Sequence, residues 1–178
     1  MQKILGIKLE IIEELVKRFE GETQLRINRQ TGAIVFDSKL LFDTDESDLK
    51  SSGKEFLDQF MPIYMSVLND DRFRDMITEI IVEGHADKRG DYLHNLKLSQ
   101  DRAYSVASYF LSEESDMFSG QELEHLREIV TANGRSFSVP VRNEDGTENL
   151  ELSRRVEIQF RLTDEEMIRD LIAVVDVN

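Results

Sequence analysis

Two residues of opposite charge, Asp87 and Arg102, offer the best chemistry in this sequence, and they stand fifteen residues apart around a loop-to-helix junction. Asp87 lies in the polar loop Gly84-His-Ala-Asp-Lys-Arg-Gly90, which follows the apolar run Ile80-Ile-Val82. Arg102 lies in the first turn of a helix that Ser99 is expected to cap. A carboxylate accepts hydrogen bonds from an ammonium, and a planar guanidinium grips a carboxylate with two parallel N–H groups. Facing each other across a shallow pocket, the two would hold a zwitterion such as an amino-acid group with both charges free. They can also form a salt bridge with each other, and spacing alone favours that simpler pairing.

Other chemistries find less support. The histidines are His85, His94 and His125. His85 shares its loop with Asp87, but no HExxH helix and no third ligand at a recognisable spacing goes with them, so no metal site is assigned. His85 is expected to hydrogen-bond the turn. Gly84 and Gly90 bracket five residues and are followed by Asp91, whereas a phosphate-binding loop needs four and a Lys-Ser/Thr pair. There is no cysteine, which excludes thiol nucleophiles, disulfides and Cys-ligated metals. Neither a catalytic constellation nor a cofactor site is expected. Twenty-two basic against thirty-six acidic residues give a net charge of −14. That balance argues against nucleic acid, whose phosphates need clustered Lys and Arg, and against an anionic membrane surface. The longest apolar stretch, Phe60 to Leu68, is nine residues with Pro62 inside. A bilayer span needs about 20, and no signal-peptide pattern opens the chain. If the protein works outside the cytoplasm, its export element is expected to lie outside these 178 residues or to have been removed.

The elements that must position Asp87 and Arg102 follow from periodicity. Leu5, Leu9, Ile12, Val16 and Phe19 form a helical stripe over Met1 to Phe19 that suits packing on the domain or pairing with a second copy, with Gly21 as the stop. Leu25-Arg-Ile27 and Ala33-Ile-Val-Phe36 flank a short loop ending in Gly32, a hairpin signal. A second helix is expected over Ser52 to Leu68, with Pro62 kinking or ending it early. Met76 to Glu83 reads as a buried strand. The helix after Ser99 carries Ala103, Val106, Ala107 and Phe110 on one face. Gln121 to Val130 mixes a short helix with the start of a strand. Phe137 to Val141 reads as extended, and Asn143 to Asn149 as an acidic turn. Val156, Ile158, Phe160 and Leu162 alternate with polar residues in a last strand, and Thr163-Asp-Glu-Glu166 opens a terminal helix through about Val175.

With the order of elements in place, three motifs carry a resemblance. Ile81-Val-Glu-Gly-His-Ala-Asp-Lys-Arg-Gly90, Asn95-Leu-Lys-Leu-Ser-Gln-Asp-Arg-Ala103 and Arg154-Arg-Val-Glu-Ile158 resemble the OmpA-like peptidoglycan-binding domain over residues 33–162. That family shows a GHTDxxG loop, an NxxLSxxRA helix and an RRVE-type last strand. The resemblance implies an α+β sandwich with a βαβαββ core, helices packed on a mixed sheet, and extra helices at both ends. It divides the chain into a linker helix (1–22), a binding domain (23–162) and a C-terminal helix (163–178). Leu41-Phe-Asp-Thr-Asp-Glu-Ser-Asp-Leu-Lys50 is similar to a segment of the MotB branch, the stator subunits of ion-driven motors, in which a membrane helix precedes the linker helix.

That resemblance implies a ligand, the diaminopimelate of peptidoglycan stem peptides. Asp87 would hold its ammonium and Arg102 its carboxylate. Asn95 would bond the peptide or fix the loop, and Arg155, with Arg154, would contact peptide or glycan. It also implies a non-enzymatic, periplasmic wall anchor tied to the inner membrane by a segment outside this chain. An inner-membrane channel partner goes with that role, and the Leu5–Phe19 stripe and the Leu171–Val175 apolar cluster suggest a homodimer. A structural tether linked to the outer membrane, or an interaction module with a drifted ligand site, are the alternatives. Ala86, His94 and Ser153 stand where the family often has Thr, Tyr and Asn. None of these departures removes a charged residue of the clamp. The acidic segments 111–130 and 143–152 look longer than the usual connections and read as solvated loops.

Overall fold

The computed structural model describes residues 2–163. Its centre is the last strand. β5 (Arg155–Leu162) alternates so regularly that Val156, Ile158, Phe160 and Leu162 are all buried on one side, while Glu157, Gln159 and Arg161 point to the other. A strand with one apolar face must bury it against a second layer, which here is helical. β5 is paired on both edges, antiparallel to β2 (Ile34–Asp37) and to β3 (Ile77–His85). β1 (Leu25–Ile27) adds antiparallel to β2, and β4 (Val130–Gly134) adds parallel to β3. The sheet order is β1-β2-β5-β3-β4. The last strand of the described residues thus fills the middle of the sheet, and the α+β sandwich with its βαβαββ core is present as expected.

Helices cover the apolar face. α1 (Gln2–Arg18) buries Ile11, Ile12 and Leu15, and Phe19 follows them inward, so this helix joins the same core as the sheet. Leu5 and Leu9 of the expected stripe stay outside, 61% and 48% exposed. One turn of helix, α2 (Ser38–Leu41), follows β2 and is capped by Asp37, which accepts from the Lys39 N–H. α3 (Ser51–Leu68) runs through Pro62 to Leu68, so of the two expected outcomes the early end does not occur. A proline inside a helix forfeits one hydrogen bond and costs about 3 kcal/mol. Burial of Tyr64, Met65, Val67 and Leu68 beyond it offsets that loss. Phe60 is the hub of the core, with ring centroids 5.0 Å from Phe19, 4.9 Å from Phe36 and 5.4 Å from Tyr64.

α4 (Tyr92–Leu111) begins two turns earlier than its sequence suggests. Asp91, not Ser99, is the N-cap, and its carboxylate accepts from the Leu93 and His94 N–H groups. Gly90, at φ 86°, makes the sharp entry that only glycine tolerates well. Ser99 is interior and buried, accepting from the Ser136 N–H and donating to the Leu96 carbonyl. Arg102 therefore sits three turns into the helix. α5 (Gly120–Ile129) leads into β4. Phe137 to Val141, expected to be extended, turns and bends instead. Ser136 takes φ 48° and turns the chain off the sheet, Phe137 packs edge-on against Tyr92 at 5.1 Å, and Pro140 has no N–H for a ladder. A short helix, α6 (Leu150–Ser153), then returns the chain to β5. The terminal helix expected after Thr163 lies outside the described residues.

α4 crosses the sheet at a pair of glycines, Gly84 on β3 and its register partner Gly134 on β4. A Cβ at Gly84 would lie 2.1 Å from the Ser99 carbonyl oxygen, and one at Gly134 would lie 2.5 Å from the Gln100 nitrogen. These are backbone atoms and cannot rotate away. Gly84→Ala is expected to lower the unfolding free energy by about 2–3 kcal/mol, as overpacking does. Gly6→Ala, at a helical site with nothing within 4 Å, is expected to raise it by about 0.5–1 kcal/mol. Urea denaturation of both variants measures the contrast.

Candidate functional site

Where β3 ends and α4 begins, a cleft of about 580 Å³ opens between the 86–90 loop, α4, the 42–45 segment and the start of β5. Asp87, Asn95, Arg102 and Arg154 line it, with Phe42, Asp43, Asp45, Arg89 and His94. Asp87 and Arg102 share this cleft, but they do not pair with each other.

Asp87 is only 4% exposed. Its Oδ1 accepts from the Arg89 backbone N–H at 2.9 Å, an Asx turn that fixes the carboxylate plane. The Arg89 side chain folds back on both oxygens, with Nε 3.1 Å from each and Nη2 2.8 Å from Oδ2. Arg154 Nη1 donates to Oδ2 from the residue just before β5. Burial by itself would raise the Asp87 pKa, but the hydrogen bonds from Arg89 and Arg154 outweigh it and hold the carboxyl down at about 2.

Arg102 is neutralised differently. It is 6% exposed, yet among the described residues no carboxylate lies within 4.0 Å of its guanidinium. Its Nε donates to the Glu46 carbonyl at 2.8 Å and its Nη2 to the Asp43 carbonyl at 3.2 Å. Its guanidinium carbon lies 5.2 Å from the centre of the Phe42 ring. Burial lowers its pKa, the Asp45 charge acts the other way, and Arg154 adds to the lowering. An arginine stays charged regardless. The result is a mostly desolvated cation held by neutral dipoles, with Nη1 not engaged by either carbonyl. The 43–48 loop that supplies those carbonyls is closed at its base by the Phe42–Leu49 bridge.

Asn95 is buried and donates from Nδ2 to the Arg89 carbonyl at 2.7 Å, so it ties the loop to α4. Arg155 is not brought to the cleft. Strand alternation sends it to the opposite face of β5, where Nε meets Glu157 Oε1 at 2.6 Å and Nη1 donates to the Val139 and Ser153 carbonyls. Glu83 and His85 share that face, with His85 Nε2 3.1 Å from Glu83 Oε1. The ligand atoms of Glu83, His85 and Glu157 fall within 4.8 Å of one another, near enough for a cation. The Arg155 guanidinium already supplies positive charge there. Sequence reasoning missed Arg89 as the partner of Asp87, although an Asp two residues before an Arg is a detectable signal. It also missed the Asp43 and Glu46 carbonyls, which no residue type announces.

Residues 41–154 match the OmpA family. The chain belongs to the OmpA family. The ZorB protein of Zorya from Escherichia coli strain ATCC 8739 is 30% identical over 177 residues, covering 93% of this chain and 73% of ZorB. ZorB of strain E24377A is 28% identical over 123 residues, covering 67% of this chain but only 48% of that protein. The OmpA-family chain thus spans between about half and three quarters of these relatives' length. Its fold is shared with a MotB-like protein from Desulfovibrio vulgaris, at a TM-score of 0.63 and 18% identity over 90% of this chain and 94% of that one. It is also shared with the cell wall anchor of the T6SS from Pseudomonas aeruginosa, at a TM-score of 0.55 and 20% identity over 87% of this chain and 99% of that one.

The depressed Asp87 pKa links the cleft to folding. The folded value lies below the unfolded one, so ionised Asp87 contributes stability at neutral pH that is lost as pH falls from about 4 through about 2. The stability difference between wild type and Asp87→Asn is expected to be flat from pH 7 to 5 and to shrink by on the order of 2 kcal/mol toward pH 2. Denaturation at a series of pH values follows it.

Proposed function

We propose that this chain binds peptidoglycan without catalysis, closing Asp87 on the ammonium and Arg102 on the carboxylate of a stem-peptide diaminopimelate. The observation that carries the reading is Arg102. A buried guanidinium whose partners among the described residues are two carbonyls and the Phe42 ring is costly unless an anion completes it. The cleft offers a carboxylate-bearing ligand that role, and a planar fork suits it. Asp87 on the far side of the same cleft suits the positive end of a zwitterion. In this reading Asn95 and Arg154 are positioning residues, the first for the 86–90 loop and the second for the Asp87 carboxylate. Arg155 is given no contact with the ligand.

Membership of the OmpA family, the ZorB relatives and a fold shared with a cell wall anchor all support an envelope role. We place the chain in the periplasm as the wall-anchoring part of a MotB-like stator subunit. Residues 1–22 would be its connecting helix, 23–162 its binding domain and 163–178 its C-terminal helix. A membrane segment outside this chain would join it to an inner-membrane channel partner. The exposed Leu5 and Leu9 on α1 suit a helix that meets a second copy. With a net charge of −14, the protein's overall field does not draw in an anionic polymer, so recognition must be local. Affinity for a single stem peptide should be weak, with retention on the wall coming from many copies.

Co-sedimentation with purified diaminopimelate-type peptidoglycan tests this reading. Asp87→Asn and Arg102→Lys, both checked for a native circular dichroism spectrum, are each expected to reduce binding at least about tenfold, because lysine keeps the charge of Arg102 but not its fork. Retention of both variants at the wild-type level would overturn the clamp.

A further inference from the structure

We infer that the Arg89 side chain is a built-in plug of the ammonium subsite, an internal cation that an incoming ligand must displace from Asp87. The inference rests on the proposed reading of Asp87 as the ammonium acceptor. It starts from an asymmetry between the two arginines on that carboxylate. Arg154 is 24% exposed at the side chain and stands at the entry to a central strand, where its backbone carbonyl accepts from the Ser38 N–H. Arg89 is 65% exposed at the side chain and stands in the short loop between β3 and α4. One is built in, and the other lies over the carboxylate from the solvent side.

Removing the Arg89 guanidinium would not leave Asp87 disordered. The Arg89 backbone N–H still donates to Oδ1 and Arg154 still donates to Oδ2. Asn95 still holds the Arg89 carbonyl, so the loop keeps its path. What is vacated is the set of lone pairs that Nε and Nη2 now occupy, and an ammonium needs those positions. In the free protein the plug fills them, and the site is self-satisfied on its acidic side while Arg102 stays without a carboxylate on its basic side.

This arrangement makes the cleft selective for a two-charge ligand. A simple amine gains only Asp87, and it must beat a guanidinium that already chelates both oxygens. A zwitterion gains Arg102 as well, and that second contact drives the exchange. An ion pair with one partner well exposed is worth little in water, so the plug should weaken binding only modestly.

Isothermal titration calorimetry with a stem tripeptide ending in meso-diaminopimelate tests the inference. Arg89→Ala is expected to bind about two- to fivefold tighter than wild type, matching the loss of one exposed ion pair. The gain should vanish in an Asp87→Asn background and with the peptide acetylated on its free diaminopimelate amine. Lys88→Ala removes the same charge one residue away and should bind as wild type does. Equal gains for Lys88→Ala and Arg89→Ala would make the effect one of net charge and overturn the plug. Arg89→Ala binding no tighter than wild type, with wild-type binding still dependent on Asp87, would overturn the plug and leave the clamp standing. Wild-type binding that survives Asp87→Asn unchanged would overturn both.

Discussion

The approach of α4 to the sheet at Gly84 and Gly134 is the constraint on which the rest of the structure depends. With no side chain at either position, the helix backbone comes close enough for Ser99 and Gln100 to engage the sheet and its exit loop directly. The Ser99 hydroxyl accepts from Ser136, and the Gln100 amide donates to the Ala132 carbonyl and accepts from the Gly134 N–H. These contacts set the height of α4 along β3. Arg102 is one turn beyond Ser99, and Asp87 is three residues beyond Gly84. The same short contact therefore determines how far the guanidinium stands from the carboxylate.

Within that frame the two charges are held by opposite means. Asp87 is crowded by cations and kept ionised far below neutral pH. Arg102 is surrounded by carbonyl dipoles and an aromatic face, with the Asp45 charge acting on it from beyond salt-bridge range. A direct pairing of the two would have neutralised both and closed the cleft. Keeping them apart costs desolvation free energy at Arg102, which a ligand carboxylate would recover. The carbonyls that hold Arg102 come from an acidic loop, so the loop's negative charge helps retain a cation whose contacts are all neutral.

The opposite face of the sheet has a separate polar network. Glu157 accepts from Arg155 and Gln159, Glu79 accepts from Arg161 and Thr131, and His85 lies against Glu83. Adjacent arginines at 154 and 155 thus serve opposite sides of one strand, the first the cleft and the second this network. A one-residue slip of β5 would exchange them and also turn Val156, Ile158 and Phe160 out of the core. The apolar alternation that specifies the register of β5 thereby also decides which arginine reaches Asp87.

How much of this could be read in the sequence depended on the range of the interaction. The apolar stripes of α1, α3 and β5, the hairpin at Gly32 and the motifs around Asp87, Asn95 and Arg102 are local patterns, and they pointed to the family, the fold class and part of the cleft, but not to Arg89 or the 43–46 carbonyls. The start of α4 was misread because Asp91 and Ser99 are equally good caps by residue type, and only the burial of Ser99 against Ser136 distinguishes them. The helix does not end early at Pro62 because core packing beyond it outweighs one lost hydrogen bond. Whether Asp87 and Arg102 pair with each other or with neighbours was open in the sequence. Tertiary structure decided it, since the partners that separate them come from residues 43–46, 89 and 154, and charge balance in a cleft depends on which distant segments the fold brings there.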